Sequence, residues 1–376
     1  MGVSMKQSGG KLRVLMVNTV PMQYEGITMV MLNYARNMDR GALQLDFAAF
    51  NDVPPALRQE IAQMGSKLHV IENRNRRPLR YLVRLARLIR REGYDVVHAH
   101  GNSCTLAVEM LAARLGGAKV RCAHSHNTRC SSTRVNNLLR PAFMGNYTHA
   151  FACGDAAGRW LFGDRPFTVL NNGVDTARFA FRGDCRAEYR RALGVEGKTA
   201  IGHVANFNDQ KNHFFLIDAF ARAAEANPGL ALVLVGDGKN RAEIEKKARD
   251  LNLQDRVIFT GTRRDVPQIL SAMDFMVLPS LYEGLPNVMI EWQASGLHAL
   301  VADTVTQEAK LTPLVEFLPL DLAAWAKRMA EMAVDPADRE RDSAAAIERI
   351  REKGYDIRAN AERLAGLYRE YVNGKR

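Results

Sequence analysis

Two glutamates eight residues apart, Glu283 and Glu291, flank a strand-to-helix transition in the segment PSLYEGLPNVMIEWQASG, residues 279–296. The run before it, DFMVLP, is short, apolar and closed by proline, which predicts a buried strand. Pro286 and Asn287 suit a helix start, and Gly296 stands where a helix ends. One carboxylate is therefore expected in the loop above the strand's carboxyl end and the other inside the helix. Open α/β sheets bind ligands in that position. The helix-start residues Leu285, Pro286, Asn287 and Val288 would favour an anion, while the carboxylates accept hydrogen bonds from sugar or ribose hydroxyls. The structural alternative is a loop glutamate beside a capping one.

Further upstream, AIGHVANFNDQKNH (residues 200–213) carries an apolar strand into a polar loop holding Lys211. A lysine there can neutralise a diphosphate as a point charge, or simply be solvated. Gly236-Asp237-Gly238 follows another apolar strand and precedes a helix. It lacks the third glycine and the acidic residue of a dinucleotide fingerprint, so it reads as a tight strand–helix turn. Two histidine pairs close strands in VVHAHG and CAHSHNT: His98 with His100, and His124 with His126. Alternation puts each pair on one face of its strand. They would bind a metal only if the two strands were neighbours, with Cys122 and Cys130 close by; polar residues satisfied at strand ends are the alternative.

These residues require a scaffold of many short strands. Apolar runs alternate with amphipathic segments along the whole chain, a pattern of parallel sheets covered by helices on both faces. At 376 residues and 47% hydrophobic content, two such domains fit. Residues 1–175 are expected to form one, residues 176–356 a second, and residues 357–376 a closing helix. The boundary is signalled near Asn172-Gly173, a strong turn pair. No apolar run approaches the roughly 18 residues of a membrane span. Five cysteines without CxxC spacing predict free thiols in a reducing compartment, and the start of the chain lacks an apolar leader, so a cytoplasmic location is expected.

The formal charge of +11 is uneven. Residues 1–185 hold 25 Lys/Arg against 13 Asp/Glu, and the remainder 27 against 28. The basic excess concentrates in NRNRRPLRYLVRLARLIRR, where Arg80, Arg84, Arg87 and Arg91 share one helical face opposite Leu82, Leu85, Ala86 and Ile89. A solvated helix explains the apolar side but not a polar side with hardly any glutamate. An anionic membrane surface is the expected partner. Nucleic acid is not expected, because no recognised motif or aromatic interleaving accompanies the arginines.

The Glu283–Glu291 spacing resembles the Glu-x7-Glu signature of retaining GT-B glycosyltransferases of family 4, of the kind that build exopolysaccharide or capsule. The resemblance covers nearly the whole chain and implies two Rossmann-like, doubly wound parallel-sheet domains facing a cleft, with the closing helix crossing back to the first domain. It implies that Glu283 holds the donor sugar, Glu291 the nucleotide ribose, Lys211 the diphosphate and His126 the sugar from the first domain. Gly236 resembles the family's Val-Gly-x-Gly turn, and Thr262 with Arg263 the loop that packs on the base and reads a uracil edge. Gly26 resembles the last glycine of the first loop, whose usual pair is reduced here to Glu25-Gly26. Asn206 stands where the family has arginine, which weakens the diphosphate site; Arg263 and Arg264 are candidates to compensate. The implied reaction transfers a sugar, most simply from a UDP-sugar, to a glycan or polyprenyl-diphosphate-linked acceptor. It would need no cofactor beyond the sugar nucleotide, and no Asp-x-Asp metal motif follows an apolar strand. A UDP-sugar epimerase of related fold and a non-catalytic homologue that binds a membrane or partner are the alternatives.

Overall fold

The computed structural model describes residues 11–23, 26–128, 130, 132–332 and 336–374. Glu25 and the start of the chain lie outside the described residues. Met1–Gly173 and Ile357–Arg376 form one unit, and Val174–Asp356 form the other.

The first unit holds seven strands: β1 (Leu12–Asn18), β2 (Leu43–Ala49), β3 (Leu68–Val70), β4 (Val96–Gly101), β5 (Val120–Ser125), β6 (His149–Ala152) and β7 (Thr168–Val169). All pair in parallel, in the order β3-β2-β1-β4-β5-β6-β7. Alternation along β1 sorts its side chains onto two cores. Val14 and Met16 join Tyr34, Phe47, Leu364 and Tyr368 on the face of helices Gly26–Asn37 and Ile357–Val372. Leu15 and Val17 join Tyr81, Leu85, Ile89, Met110 and Phe143 on the face of helices Pro78–Glu92 and Ala107–Gly116. Each fully buried large apolar side chain contributes about 1.5–3 kcal/mol.

Helix Pro78–Glu92 shows how sequence sets such a face. Proline stands in its first turn, and Gly93 ends it in the left-handed conformation at φ 66°. Tyr81, Leu82, Leu85, Leu88 and Ile89 recur at helical spacing and are buried. Arg80, Arg84, Arg87 and Arg91 are exposed, together with Leu79 at 78% and Val83 at 44%. Arg91 pairs with Glu92, whereas Arg80, Arg84 and Arg87 have no ion-pair partner among the described residues.

The second unit holds six parallel strands: β8 (Thr199–Val204), β9 (Leu230–Val235), β10 (Val257–Gly261), β11 (Phe275–Leu278), β12 (His298–Ala302) and β13 (Val315–Leu318). Their order is β10-β9-β8-β11-β12-β13. Asp274, just before β11, fastens this sheet to helix Gly183–Ala192. It accepts from Ala200 N at 2.7 Å and Arg190 Nη1 at 3.0 Å, and it also pairs with Arg186. Both sheets reverse strand direction of growth once, between β1 and β4 and between β8 and β11. Such a reversal leaves the loops on either side diverging over opposite faces, opening a crevice at the strands' carboxyl ends.

Candidate functional site

In the second unit two of the expected site residues, Lys211 and Glu283, meet at that reversal. Val204 ends β8, and a short 3-10 turn, Asp209–Lys211, follows. Asn208 caps the turn, its Oδ1 accepting from Lys211 N at 3.1 Å. Asn212, at φ 55°, then swings the chain into helix His213–Ala226. Across the reversal, β11 gives way to the loop bearing Glu283. Lys211 Nζ and Glu283 Oε1 form an ion pair whose side chains are only 17% and 8% exposed. Ser280 Oγ donates to the same Oε1 at 2.8 Å, and Gln210 Nε2 donates to Oε2 at 3.0 Å. Thr304 Oγ1 holds the carbonyl of Ser280 at 2.7 Å. A partly buried, multiply bonded pair of this kind is more strongly coupled than a surface salt bridge.

Glu291 lies in helix Asn287–Ala294, whose first turn has no side-chain cap. Gly296 follows the helix at φ 66°. Burial pushes the Glu291 carboxyl up to about 7, with Arg178 opposing the rise. Its oxygens have no hydrogen-bond partner among the described residues. Leu285, Asn287 and Val288 are half-buried and Pro286 is buried; Asn287 Oδ1 is a buried acceptor with no partner.

The glycine turn is shaped by contact with the Asn206 loop. A side chain at Gly236, where φ is 139°, would place Cβ 1.9 Å from the carbonyl oxygen of Ala205. At Gly238 it would meet Phe207 O at 2.6 Å and Asn206 Oδ1 at 2.7 Å. Both positions therefore require glycine for close backbone approach. Asn206 itself is exposed, as are Thr262, Arg263 and Arg264. Arg263 is held by both oxygens of Asp265, at 2.8 and 2.5 Å, so its charge is already engaged. Arg178 Nη2 reaches the carbonyl of Arg264 at 3.4 Å, which sets a second guanidinium beside this loop.

The first unit gathers all four histidines into one stack. Parallel register places His100 beside His124. Ring centroids lie 4.3 Å apart for His98–His100 and 4.2 Å for His124–His126, with planes tilted by 17° and 25°. Tyr368 Oη and His98 Nδ1 are 2.5 Å apart, His98 Nε2 and His124 Nδ1 3.2 Å, and His100 Nδ1 and His126 Nε2 2.9 Å. Each of these contacts can run in either direction, according to which ring nitrogen carries the proton. Nitrogens of His98, His100 and His124 do lie within 4.8 Å of one another. Coordination, however, needs lone pairs converging on one point about 2.0–2.1 Å away. Near-parallel rings aim theirs side by side. The arrangement is a hydrogen-bonded stack. Gly26, at φ 41°, opens the helix after β1 on the other side of the same strand-order reversal.

Sequence reasoning missed several members of both clusters. Gln210, Ser280 and Arg178 support the second unit's carboxylates, and Tyr368 orients the histidines. His203 and His213 lie buried beneath the Lys211 loop with ring centroids 4.7 Å apart. Burial holds them neutral, at about 4 and about 2. The adjacency of His213 to Asn212 and Lys211 was the available signal.

Comparison with known proteins agrees with this geometry. Residues 24–178 match the model for Glycosyltransferase Family 4, and residues 198–350 match Glycosyl transferases group 1. EpsF of Bacillus subtilis (strain 168), named as a glycosyltransferase, is 36% identical over 91% of this chain and 92% of its own. An Escherichia coli protein named UDP-Gal:alpha-D-GlcNAc-diphosphoundecaprenol alpha-1,3-galactosyltransferase is 30% identical over 60% of this chain and 62% of its own. The crystal structure of Anabaena HepE in complex with UDP-glucose superposes with a TM-score of 0.75 at 19% identity, covering 96% of this chain and all of that one. The two parallel-sheet domains are those of the GT-B fold. The chain belongs to glycosyltransferase family 4 and is a glycosyltransferase.

The histidine stack makes acid stability a direct test. Burial depresses His98 and His126 to about 3 and drives His100 and His124 well below the usual 6.5. The unfolded chain therefore takes up protons below pH 6.5 that the folded chain refuses. Stability should fall as pH drops from about 6.5 toward 3. Thermal unfolding of the parent should shift down between pH 7.5 and 5, and less so for His124→Phe. Equal slopes would contradict the neutral stack.

Proposed function

We propose that this glycosyltransferase moves a sugar from a UDP-sugar to a glycan or polyprenyl-diphosphate-linked acceptor with retention of anomeric configuration and without a divalent metal. The product would enter a surface polysaccharide. The observation that carries this reading is the Lys211–Glu283 pair at the second sheet's reversal, with Glu291 on the helix beyond.

In this reading the donor diphosphate draws Lys211 away from Glu283. Glu283 then accepts from sugar hydroxyls, and uncapped amides near Leu285–Val288 support the phosphates. Glu291 takes the ribose, while Gly236, Thr262 and Arg263 approach the nucleotide. Positive charge preorganised at the leaving group is the main catalytic contribution, filling the role a divalent ion would otherwise play. Asn206 offers one neutral amide where an arginine would offer a charged fork, a difference of about 1–2 kcal/mol. Within the first unit His126 is bonded to His100, and donor roles for His126 and Gly26 are what the family resemblance implies. A UDP donor and a diphospholipid acceptor are favoured by the printed name of the Escherichia coli relative, and a UDP-sugar by the HepE complex. Retention is argued from family membership.

The exposed arginine face would bring the enzyme to anionic lipid, where such an acceptor resides. Arg80, Arg84 and Arg87 lack acidic partners among the described residues, and Leu79 and Val83 beside them can enter the headgroup layer. No described helix is long and apolar enough to cross a membrane. Docking on the inner face of the cytoplasmic membrane follows from this reading.

The decisive assay is transfer from UDP-sugars to a polyprenyl-diphosphate-linked glycan, with the new anomeric centre read by NMR. Retained configuration and a loss of at least about a hundredfold in Glu283→Ala are expected; inversion or full activity in that variant would contradict the reading. Because Glu291 is half-ionised near pH 7, UDP affinity should weaken below that pH. Glu291→Gln should flatten this dependence, and an unchanged profile would remove Glu291 from the ribose site. Replacing Arg80, Arg84 and Arg87 with Glu should abolish sedimentation with phosphatidylglycerol vesicles, and unchanged binding would discard the membrane face.

A further inference from the structure

Gln210 joins the two loops on either side of the second sheet's reversal at three points. Its carbonyl accepts from Leu281 N at 2.8 Å. Its side-chain nitrogen donates to Tyr282 O at 2.9 Å and to Glu283 Oε2 at 3.0 Å. Both side-chain partners can only accept, so the amide must face them with nitrogen. That orientation leaves Gln210 Oε1 with no partner among the described residues. The surroundings of Glu283 are equally defined. A carboxylate has about four acceptor positions. Lys211 and Ser280 occupy those on Oε1, and Gln210 takes one on Oε2. One position is open, on the oxygen that Gln210 steadies, and departure of Lys211 to a diphosphate would open another on Oε1.

We propose that Gln210 is a specificity-determining residue of the donor-sugar site. Its nitrogen fixes the Glu283 carboxylate so that a defined acceptor position meets one sugar hydroxyl, and its Oε1 accepts from a neighbouring hydroxyl. Two acceptors on side chains that brace each other read a pair of adjacent hydroxyls, and so distinguish epimers. A site built to bond a hydroxyl discriminates more strongly than an apolar pocket. The amide is essential to this arrangement. Glutamate at 210 would lose both N–H bonds and place a second negative charge beside Glu283. The inference rests on Glu283 being the sugar-binding residue.

The test is calorimetric titration of the full chain, Gln210→Met and Gln210→Glu with UDP and with two epimeric pairs: UDP-glucose and UDP-galactose, and their 2-acetamido counterparts. The parent should bind UDP and prefer one epimer. Both variants should hold UDP within about threefold of the parent while the epimer preference shrinks by about tenfold, the loss of one hydrogen bond to a charged group. Methionine keeps the length and bulk of glutamine, so a folding failure would show as a lost thermal transition. An intact preference in both folded variants, or a parent without preference, overturns the role of Gln210 and leaves the donor site standing. Loss of UDP binding in folded variants shows that Gln210 acts through the Lys211 loop instead and also overturns it. A parent that binds none of these nucleotides overturns the donor reading, and this assignment with it.

Discussion

The rest of the structure depends on parallel strand pairing with a single reversal of order in each sheet. Parallel strands all end on the same side, so every loop that follows a strand emerges at one edge of its sheet. Gly26, His98, His100, His124 and His126 follow or close strands at the carboxyl edge of the first sheet. Asn206, Lys211, Gly236, Thr262, Glu283 and Glu291 do so in the second. The reversal then selects which loops come close. Lys211 and Glu283 are separated by 72 residues in the chain but follow β8 and β11, the two strands on either side of it.

The resulting electrostatics differ between the two units. The second sets a lysine against a carboxylate that is already bonded by Ser280 and Gln210, and holds a second carboxylate near half-ionisation. In the proposed function, exchange of Lys211 from Glu283 to a diphosphate would conserve its pairing and free acceptor positions for hydroxyls in one step. The first unit has a buried ion pair of its own, Arg74 with Glu109 at 2.7 Å, but histidines occupy the carboxyl ends of β4 and β5. It stacks four neutral imidazoles, of which His98 is bonded to Tyr368 in the helix Ile357–Val372 and to His124. The reversal of strand order is thus lined by an ion pair in the second unit and by neutral imidazoles in the first.

Much of this was legible in the sequence because local chemistry carried it. Pro286, Asn287 and Gly296 bracket the Glu291 helix, and apolar runs locate most strands within one or two residues. A short strand is expected at Thr168, where Thr168–Val169 forms, whereas His149–Ala152 and Val315–Leu318 escaped notice: the first begins with a polar histidine, and the second is an edge strand carrying Glu316. Long-range neighbours were the other gap. That the histidine pairs form one stack depends on β4 lying beside β5, which spacing within a strand does not encode. The supporting roles of Gln210, Ser280 and Tyr368 likewise appear only once strand order is known. Arg263 was a candidate to replace the missing arginine, but its pairing with Asp265 was not readable from two residues' separation alone.

In the proposed function the Lys211–Glu283 pair is the resting form of a nucleotide-diphosphate site. Calorimetric titration of UDP in the presence of EDTA, on the parent and on Lys211→Ala, tests it most directly. Metal-independent binding by the parent and at least about tenfold weaker binding by the variant, the loss of one charge-assisted contact, are expected. Equal affinity in the two proteins, or no UDP binding by a folded parent, would contradict it.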